Sequence, residues 1–230
     1  MLLGEEALET LSRSSVAIFG LGGVGGGALE ALARAGIGEF HLIDADVFGL
    51  SNLNRQLLAT KETLGRKKVE VGRDRILSIN PDARVYLYPV FYLPGENNIP
   101  FDAFDIVIDA IDTVSAKVDI ARECFERNIP EIMCLGMGNR MDPSKIRIGD
   151  LFETAGDPLA KIMRKKCREL GIKKLRVVYS SEEPMTPLFK IESDSPSRRD
   201  VPGSLPFVPP VAGYYLACEA VKNLLADHNG

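Results

Sequence analysis

The run Gly20-Leu21-Gly22-Gly23-Val24-Gly25 constrains the fold more than any other part of the chain, because of what stands on either side of it. Val16-Ala17-Ile18-Phe19 before it is apolar and strand-like, and Val24 to Ala35 after it repeats at helical spacing. Strand, glycine turn and helix N-terminus is the order in which a backbone can wrap a phosphate, since the unpaired N–H groups and the dipole of the helix face the anion. Gly20, Gly22 and Gly25 are the positions at which the backbone has to come close, to phosphate or to the neighbouring strand. A second apolar run, Phe40-His41-Leu42-Ile43, ends at Asp44, where a carboxylate can bind both hydroxyls of a ribose. Those two features alone fit a dinucleotide site.

The block that follows narrows this. Asp44-Ala45-Asp46 runs on to Ser51-Asn52-Leu53-Asn54-Arg55-Gln56. An arginine and neighbouring amides suit a triphosphate, because a guanidinium forks phosphate oxygens and amides orient them; hydride transfer needs neither. Asp46, Asn52 and Gln56 admit a second reading, as caps or turn formers. Gly65-Arg66-Lys67-Lys68-Val69-Glu70 then opens another helical pattern and offers a lysine to the same phosphates. Asp109-Ala110-Ile111-Asp112 ends the apolar run Ile106-Val107-Ile108, which puts Asp112 at the carboxyl edge of a sheet, where it can hold Mg²⁺.

Apolar runs at Val16–Phe19, Phe40–Ile43, Val85–Leu87, Ile106–Ile108 and Ile132–Leu135 alternate with helical patterns at Val24–Ala35, Lys67–Ile79 and Ser115–Arg127. That alternation predicts an α/β fold, a Rossmann-like, doubly wound and mostly parallel sheet with helices on both faces. With 230 residues, 45% of them hydrophobic, the chain suits one sizeable core. Residues 1–142 read as the ATP-binding core and 143–230 as a C-terminal extension of the same domain. In the extension, strands at Lys145–Ile148 and Leu175–Tyr179 flank a helix at Pro158–Leu170 and are expected to carry the sheet over the nucleotide site. Residues 180–203, rich in Ser, Pro and charge, read as a mobile loop. Prolines and charges interrupt the apolar tract Leu205–Leu225, so it reads as a buried terminal helix starting near Pro210 and not as a membrane span.

Cys124, Cys134, Cys167 and Cys218 are widely spaced with no CxxC pair, and no apolar signal run opens the chain. The expectation is a cytoplasmic protein with reduced, structural thiols. Cys167 falls into an apolar stripe with Leu159, Ile162, Met163 and Leu170.

Together these segments resemble the adenylating superfamily that includes ubiquitin-activating enzymes and the sulfur-carrier adenylyltransferases, and within it the bacterial tRNA threonylcarbamoyladenosine dehydratases. The resemblance spans most of the chain: Leu2-Leu3-Gly4-Glu5-Glu6, the glycine block, Ala31 to Gly38, Asn54-Arg55-Gln56, Ile79-Asn80-Pro81, Asp109 to Asp112 and Pro202-Gly203-Ser204. It implies ATP-dependent adenylation and cyclising dehydration of threonylcarbamoyladenosine 37 in tRNA. Asp44 would hold the ribose, Asn54 and Arg55 the triphosphate, Lys68 the α-phosphate region and Asp112 Mg²⁺; Arg55, Lys68 and Asp112 would be catalytic. It further implies a homodimer, a cysteine desulfurase-type partner and, as in some relatives, a bound K⁺ or Na⁺. Relatives that activate ubiquitin-like proteins carry paired zinc cysteines, and this chain lacks that set, so no zinc is expected. The family's pattern also has an arm ahead of Leu2 whose arginine reaches the partner subunit's phosphates; the sequence begins at Met1 without it, so either it is short at this end or that contact is lost. The alternatives are an activator of a ubiquitin-like or sulfur-carrier protein, and a noncatalytic nucleotide-binding module.

A formal charge of −4 and a pI near 5.4 exclude a generally basic coat for nucleic acid. The charge is unevenly spread. Lys161, Arg164, Lys165, Lys166, Arg168, Lys173, Lys174 and Arg176 face a single acid, Glu169, in the same stretch. This is either a rail for tRNA phosphates or a solvated helix face.

Overall fold

The computed structural model describes residues 2–96, 98–186 and 203–226. The strands are Ser15–Phe19 (β1), Glu39–Ile43 (β2), Arg84–Tyr88 (β3), Ile106–Asp109 (β4), Glu131–Cys134 (β5), Ile146–Asp150 (β6) and Arg176–Ser180 (β7). They form one sheet in the order β3-β2-β1-β4-β5-β7-β6, parallel throughout except for the antiparallel edge pair β6–β7. This is the α/β, doubly wound arrangement that the alternation implies. Every residue of β1, β4 and β5 is buried, as strands covered on both faces must be.

Among the described residues six α-helices accompany the sheet: Glu5–Arg13 (α1), Gly23–Ala35 (α2), Lys68–Ile79 (α3), Val114–Arg127 (α4), Pro158–Glu169 (α5) and Pro209–Ala226 (α6). One core gathers α2, α3 and α6 on one face; α4 and α5 cover the other. The sequence pattern does not mark α1. Only Leu11 of its nine residues is buried, too thin a stripe to read as periodic.

Strands β6 and β7 do not carry the sheet over the turn after β1. They add to its far edge, because β7 pairs with β5. What returns to that turn is the segment leading into α6, where Asn54 Nδ2 donates to the Ser204 carbonyl at 2.9 Å. Helix α6 begins with Pro209 and Pro210 and then crosses α2 in backbone contact: a Cβ on Gly213 would lie 2.2 Å from the Val24 carbonyl oxygen. No side chain larger than hydrogen fits there. Of the stretch 180–203, expected to be a mobile loop, residues 187–202 lie outside the described residues, Pro202 among them. Among the described residues no helix is long and apolar enough to cross a membrane.

Two assignments on helices change. Ile162 is 41% exposed, so the buried stripe of α5 is Ala160, Met163 and Cys167. Cys218 is exposed on α6, whereas Cys124, Cys134 and Cys167 are packed in the core.

Candidate functional site

The carboxyl ends of β1, β2 and β4 converge at one edge of the sheet. Gly20 N–H donates to the Ile43 carbonyl at 2.8 Å, and Ala110 N–H to the Phe19 carbonyl at 2.9 Å, so the three strand ends are tied together. The glycine turn then enters α2, whose N-cap Gly22 makes no side-chain cap among the described residues. N–H groups at such a helix start suit an anion. Gly25 has to be glycine for a packing reason: a Cβ there would stand 1.8 Å from the Gly20 carbonyl oxygen. Gly22 has room, its nearest neighbour being Gln56 Nε2 at 3.9 Å from such a Cβ.

Asp44 fixes this turn from β2. One carboxylate oxygen accepts from Leu21 N–H at 2.6 Å and the other from Asp46 N–H at 2.8 Å. Burial raises its pKa above the ordinary carboxylate range, and the Lys68 ammonium, 3.9 Å away, opposes that. Lys68 is the first residue of α3 and is buried, whereas its neighbour Lys67 is exposed at the N-cap. Lys68 Nζ reaches Asp46 at 2.7 Å, and Lys68 N–H binds the Asp46 carbonyl at 2.9 Å. The Asp46 side chain is 66% exposed, so this pair lies at the mouth of the site and can open.

The amide block divides. Asn52 caps its own turn, its Oδ1 accepting from Gly49 N–H at 3.0 Å. Asn54 links to the α6 segment as above, and its Oδ1 accepts from Arg55 at 2.9 Å. Arg55 also donates to the Ser51 carbonyl at 2.7 Å, which holds its guanidinium beside the block. Gln56 is buried next to the glycine turn with its Oε1 unpartnered among the described residues. A buried acceptor left without a donor marks a place where a ligand or water group is needed.

Asp112 stands exposed after β4; its only hydrogen-bond neighbour among the described residues is Thr113 Oγ1 at 3.5 Å. No group of three His, Cys, Asp or Glu side chains is gathered among the described residues. A single free carboxylate is nonetheless what Mg²⁺ uses when phosphates and waters complete its shell.

The sequence reading missed Asp109. It lies within β4 and is fully buried; one carboxylate oxygen accepts both from Lys117 Nζ of α4 at 3.0 Å and from Ile111 N–H at 3.1 Å. A buried ion pair therefore shapes the turn that presents Asp112. Glu131 of β5 is buried in the same region with neither carboxylate oxygen partnered among the described residues. Burial, and then the charge of Asp109, raise its pKa well above the usual 4.5. The folded protein thus keeps a proton that the unfolded chain releases above about pH 4.5, and stability falls as pH rises through that window, at up to ~1.4 kcal/mol per pH unit. Glu131→Gln, which mimics the protonated group, is expected to gain stability over the native protein progressively as pH rises above about 5 in denaturant titrations. A gap that does not change with pH would refute the assignment.

Cys134 and Cys167 are both pushed up to about 12 by burial, so neither is a thiolate at neutral pH. Of the basic stretch, Lys161, Lys165, Lys166, Arg168, Lys173, Lys174 and Arg176 are exposed and Arg164 is half-buried.

A tRNA threonylcarbamoyladenosine dehydratase of Bacillus subtilis is 40% identical over 236 residues, covering 99% of this chain and 93% of the relative. The protein of that name from Escherichia coli is 34% identical, covering 98% and 91%. A crystal structure of the E. coli tRNA N6-threonylcarbamoyladenosine dehydratase in complex with ATP superposes with a TM-score of 0.88 at 32% identity, covering 99% of this chain and 92% of that one. The ThiF family profile matches residues 1–229, and the chain belongs to the ThiF family.

Proposed function

We propose that this protein is an ATP-dependent tRNA threonylcarbamoyladenosine dehydratase, which adenylates the threonylcarbamoyl group on adenosine 37 and closes it into a ring. The observation that carries the reading is the juxtaposition of Asp44, Asp46 and Lys68 against the glycine turn in a chain similar over its length to such dehydratases.

A carboxylate is a poor acceptor at neutral pH. Its oxygen attacks the α-phosphorus of ATP, pyrophosphate leaves, and an acyl-AMP mixed anhydride forms. The carbamoyl group of the same substrate then attacks the activated carbonyl, AMP departs with one former carboxylate oxygen, and a proton is lost, so the nucleoside is lighter by one water. The ring closes within one molecule, so proximity replaces an enzyme nucleophile. The high thiol pKa values of Cys134 and Cys167 agree with that economy.

In this reading Asp44 accepts from the ribose hydroxyls, and the α2 N-terminus with Gly20, Gly22 and Gly25 receives the phosphates. Lys68 leaves Asp46 to neutralise the α-phosphate as charge develops, and Arg55, with Asn54 and Gln56, holds the outer phosphates. Asn52 acts through the turn it caps. Asp112 would hold Mg²⁺, which when bound offsets charge on the leaving pyrophosphate. The reading extends to a cytoplasmic homodimer working on tRNA, with a cysteine desulfurase-type protein as a partner in the cell.

The test uses ATP, Mg²⁺ and tRNA bearing threonylcarbamoyladenosine. AMP and pyrophosphate should appear, and mass spectrometry of the digested tRNA should show the nucleoside reduced by one water. If ATP–pyrophosphate exchange instead requires a carrier protein ending in glycine, and the tRNA is unchanged, the protein is an activator of such carriers.

A further inference from the structure

We propose that the outward face of α5, continued by Lys173 and Lys174, is the seat of the RNA stem that presents the modified nucleotide. The inference rests on the tRNA reading above and adds to it a surface and a direction.

The structure sorts the basic residues of this stretch into two groups. Arg164 is tied to Thr154, donating to its carbonyl at 2.9 Å and its hydroxyl at 2.6 Å. Lys166 pairs with Glu169 at 3.0 Å, and Arg176 pairs with Glu219. Lys161, Lys165, Lys173 and Lys174 are exposed and form no ion pair among the described residues. Arg168 is exposed too, lying over the Phe152 ring at 5.3 Å with no acid partner among the described residues. In a protein with a net charge of −4, a set of uncompensated cations on one face is a segregated charge, not an average surface.

The rotation of α5 is fixed from inside. Ala160, Met163 and Cys167 pack into the core, which turns Lys161, Lys165 and Arg168 outward on successive turns. Its polarity is fixed as well. The N-cap Asp157 binds buried Arg140 at 3.1 Å, and Arg140 also donates to the Ser180 carbonyl at 2.7 Å, at the carboxyl end of β7. That is the sheet edge at which the glycine turn, Asp44 and Asp112 lie, since β7 runs parallel with β5 and β4. Helix α5 therefore starts at the nucleotide edge and descends for 12 residues, about 18 Å, before Lys173 and Lys174 extend the line.

A track of cations leading away from the reacting edge fits a phosphodiester backbone whose far end supplies the substrate nucleotide. Flexible lysines suit phosphates and read no sequence, and the Phe152 ring beside them is already covered by Arg168. The partner is thus a duplex stem held by its backbone, with the loop nucleotide delivered to the edge.

The experiment measures binding of tRNA bearing threonylcarbamoyladenosine over a range of salt, for the native chain, Lys161→Glu with Lys165→Glu, Lys173→Glu with Lys174→Glu, and Lys222→Glu on α6 as a control on the opposite face. Each paired reversal should weaken binding roughly tenfold or more and flatten the log–log salt slope by about one to two units. KM for tRNA should rise while kcat at saturating tRNA holds, and the control should match the native chain. Unchanged affinity and slope in both paired variants would overturn the proposal and leave this face to an acidic protein or to solvent. The two readings separate cleanly. Dehydration that proceeds with KM unmoved by the reversals sinks the track alone; reversals that weaken binding of a tRNA the native chain never dehydrates keep the track and sink the reaction.

Discussion

Lys68→Ala is expected to slow adenylation on the order of 10²-fold while leaving the protein folded. The rate loss corresponds to about 3 kcal/mol, the usual effect of removing one charged donor from a site where charge develops in the transition state. The fold should survive because the acids Lys68 faces are otherwise supported. Asp44 keeps its bonds from Leu21 and Asp46 N–H groups, and Asp46 is mostly in water. Lys68→Arg should not restore the rate, since a planar guanidinium cannot occupy the slot of a buried ammonium on a linear stem. Single-turnover AMP formation on tRNA, with melting curves alongside, checks both halves. AMP formation within a few-fold of native would remove Lys68 from the chemistry.

Lys117→Met should have the largest effect on stability, about 3–5 kcal/mol, the cost of removing one partner from a fully buried ion pair. On a domain of this size that is a fall in Tm on the order of 10 °C. Asp109 is left either as an uncompensated charge or as a neutral acid. Burial already raises its pKa, and without the Lys117 ammonium the rise is greater. The folded variant would then hold a proton that the unfolded chain has released, so the loss should be larger at pH 8 than at pH 5. Adding Asp109→Asn removes the charge and keeps an oxygen for Ile111 N–H, so the double variant should recover much of the loss. If it is no more stable than Lys117→Met alone, the ion pair is not what holds the turn after β4.

The sheet was legible because its signals are local. The apolar runs that become β1, β2, β4 and β5 are short, wholly buried and separated by helical patterns, and the glycine turn announces its own geometry. The Asp109–Lys117 pair was not legible, because neither residue carries a local sign of it. A carboxylate at the end of an apolar run reads as the start of a turn, and Lys117, eight positions on, reads as a solvated helix lysine; only the packing of α4 on β4 brings them together. The same limit explains Ile162. Helical spacing places it at the border of the apolar stripe, and which side of the border it takes is set by how α5 rolls onto the sheet. Asp46 illustrates the converse: a residue whose sequence context also fits a simple turn former is what holds Lys68 at the mouth.

The contact between α2 and α6 also dictates an order of events. Helix α2 leaves the ribosome well before α6, so while everything between them is being made Val24, Gly27 and their neighbours have nothing to close against. Loop closure across so much chain is slow, and folds dominated by such distant pairings cross their barrier late. A nascent chain that has already emitted its glycine turn is therefore expected to have no working grip on the nucleotide until α6 has docked, so that competence is acquired in one step well after the turn itself is made.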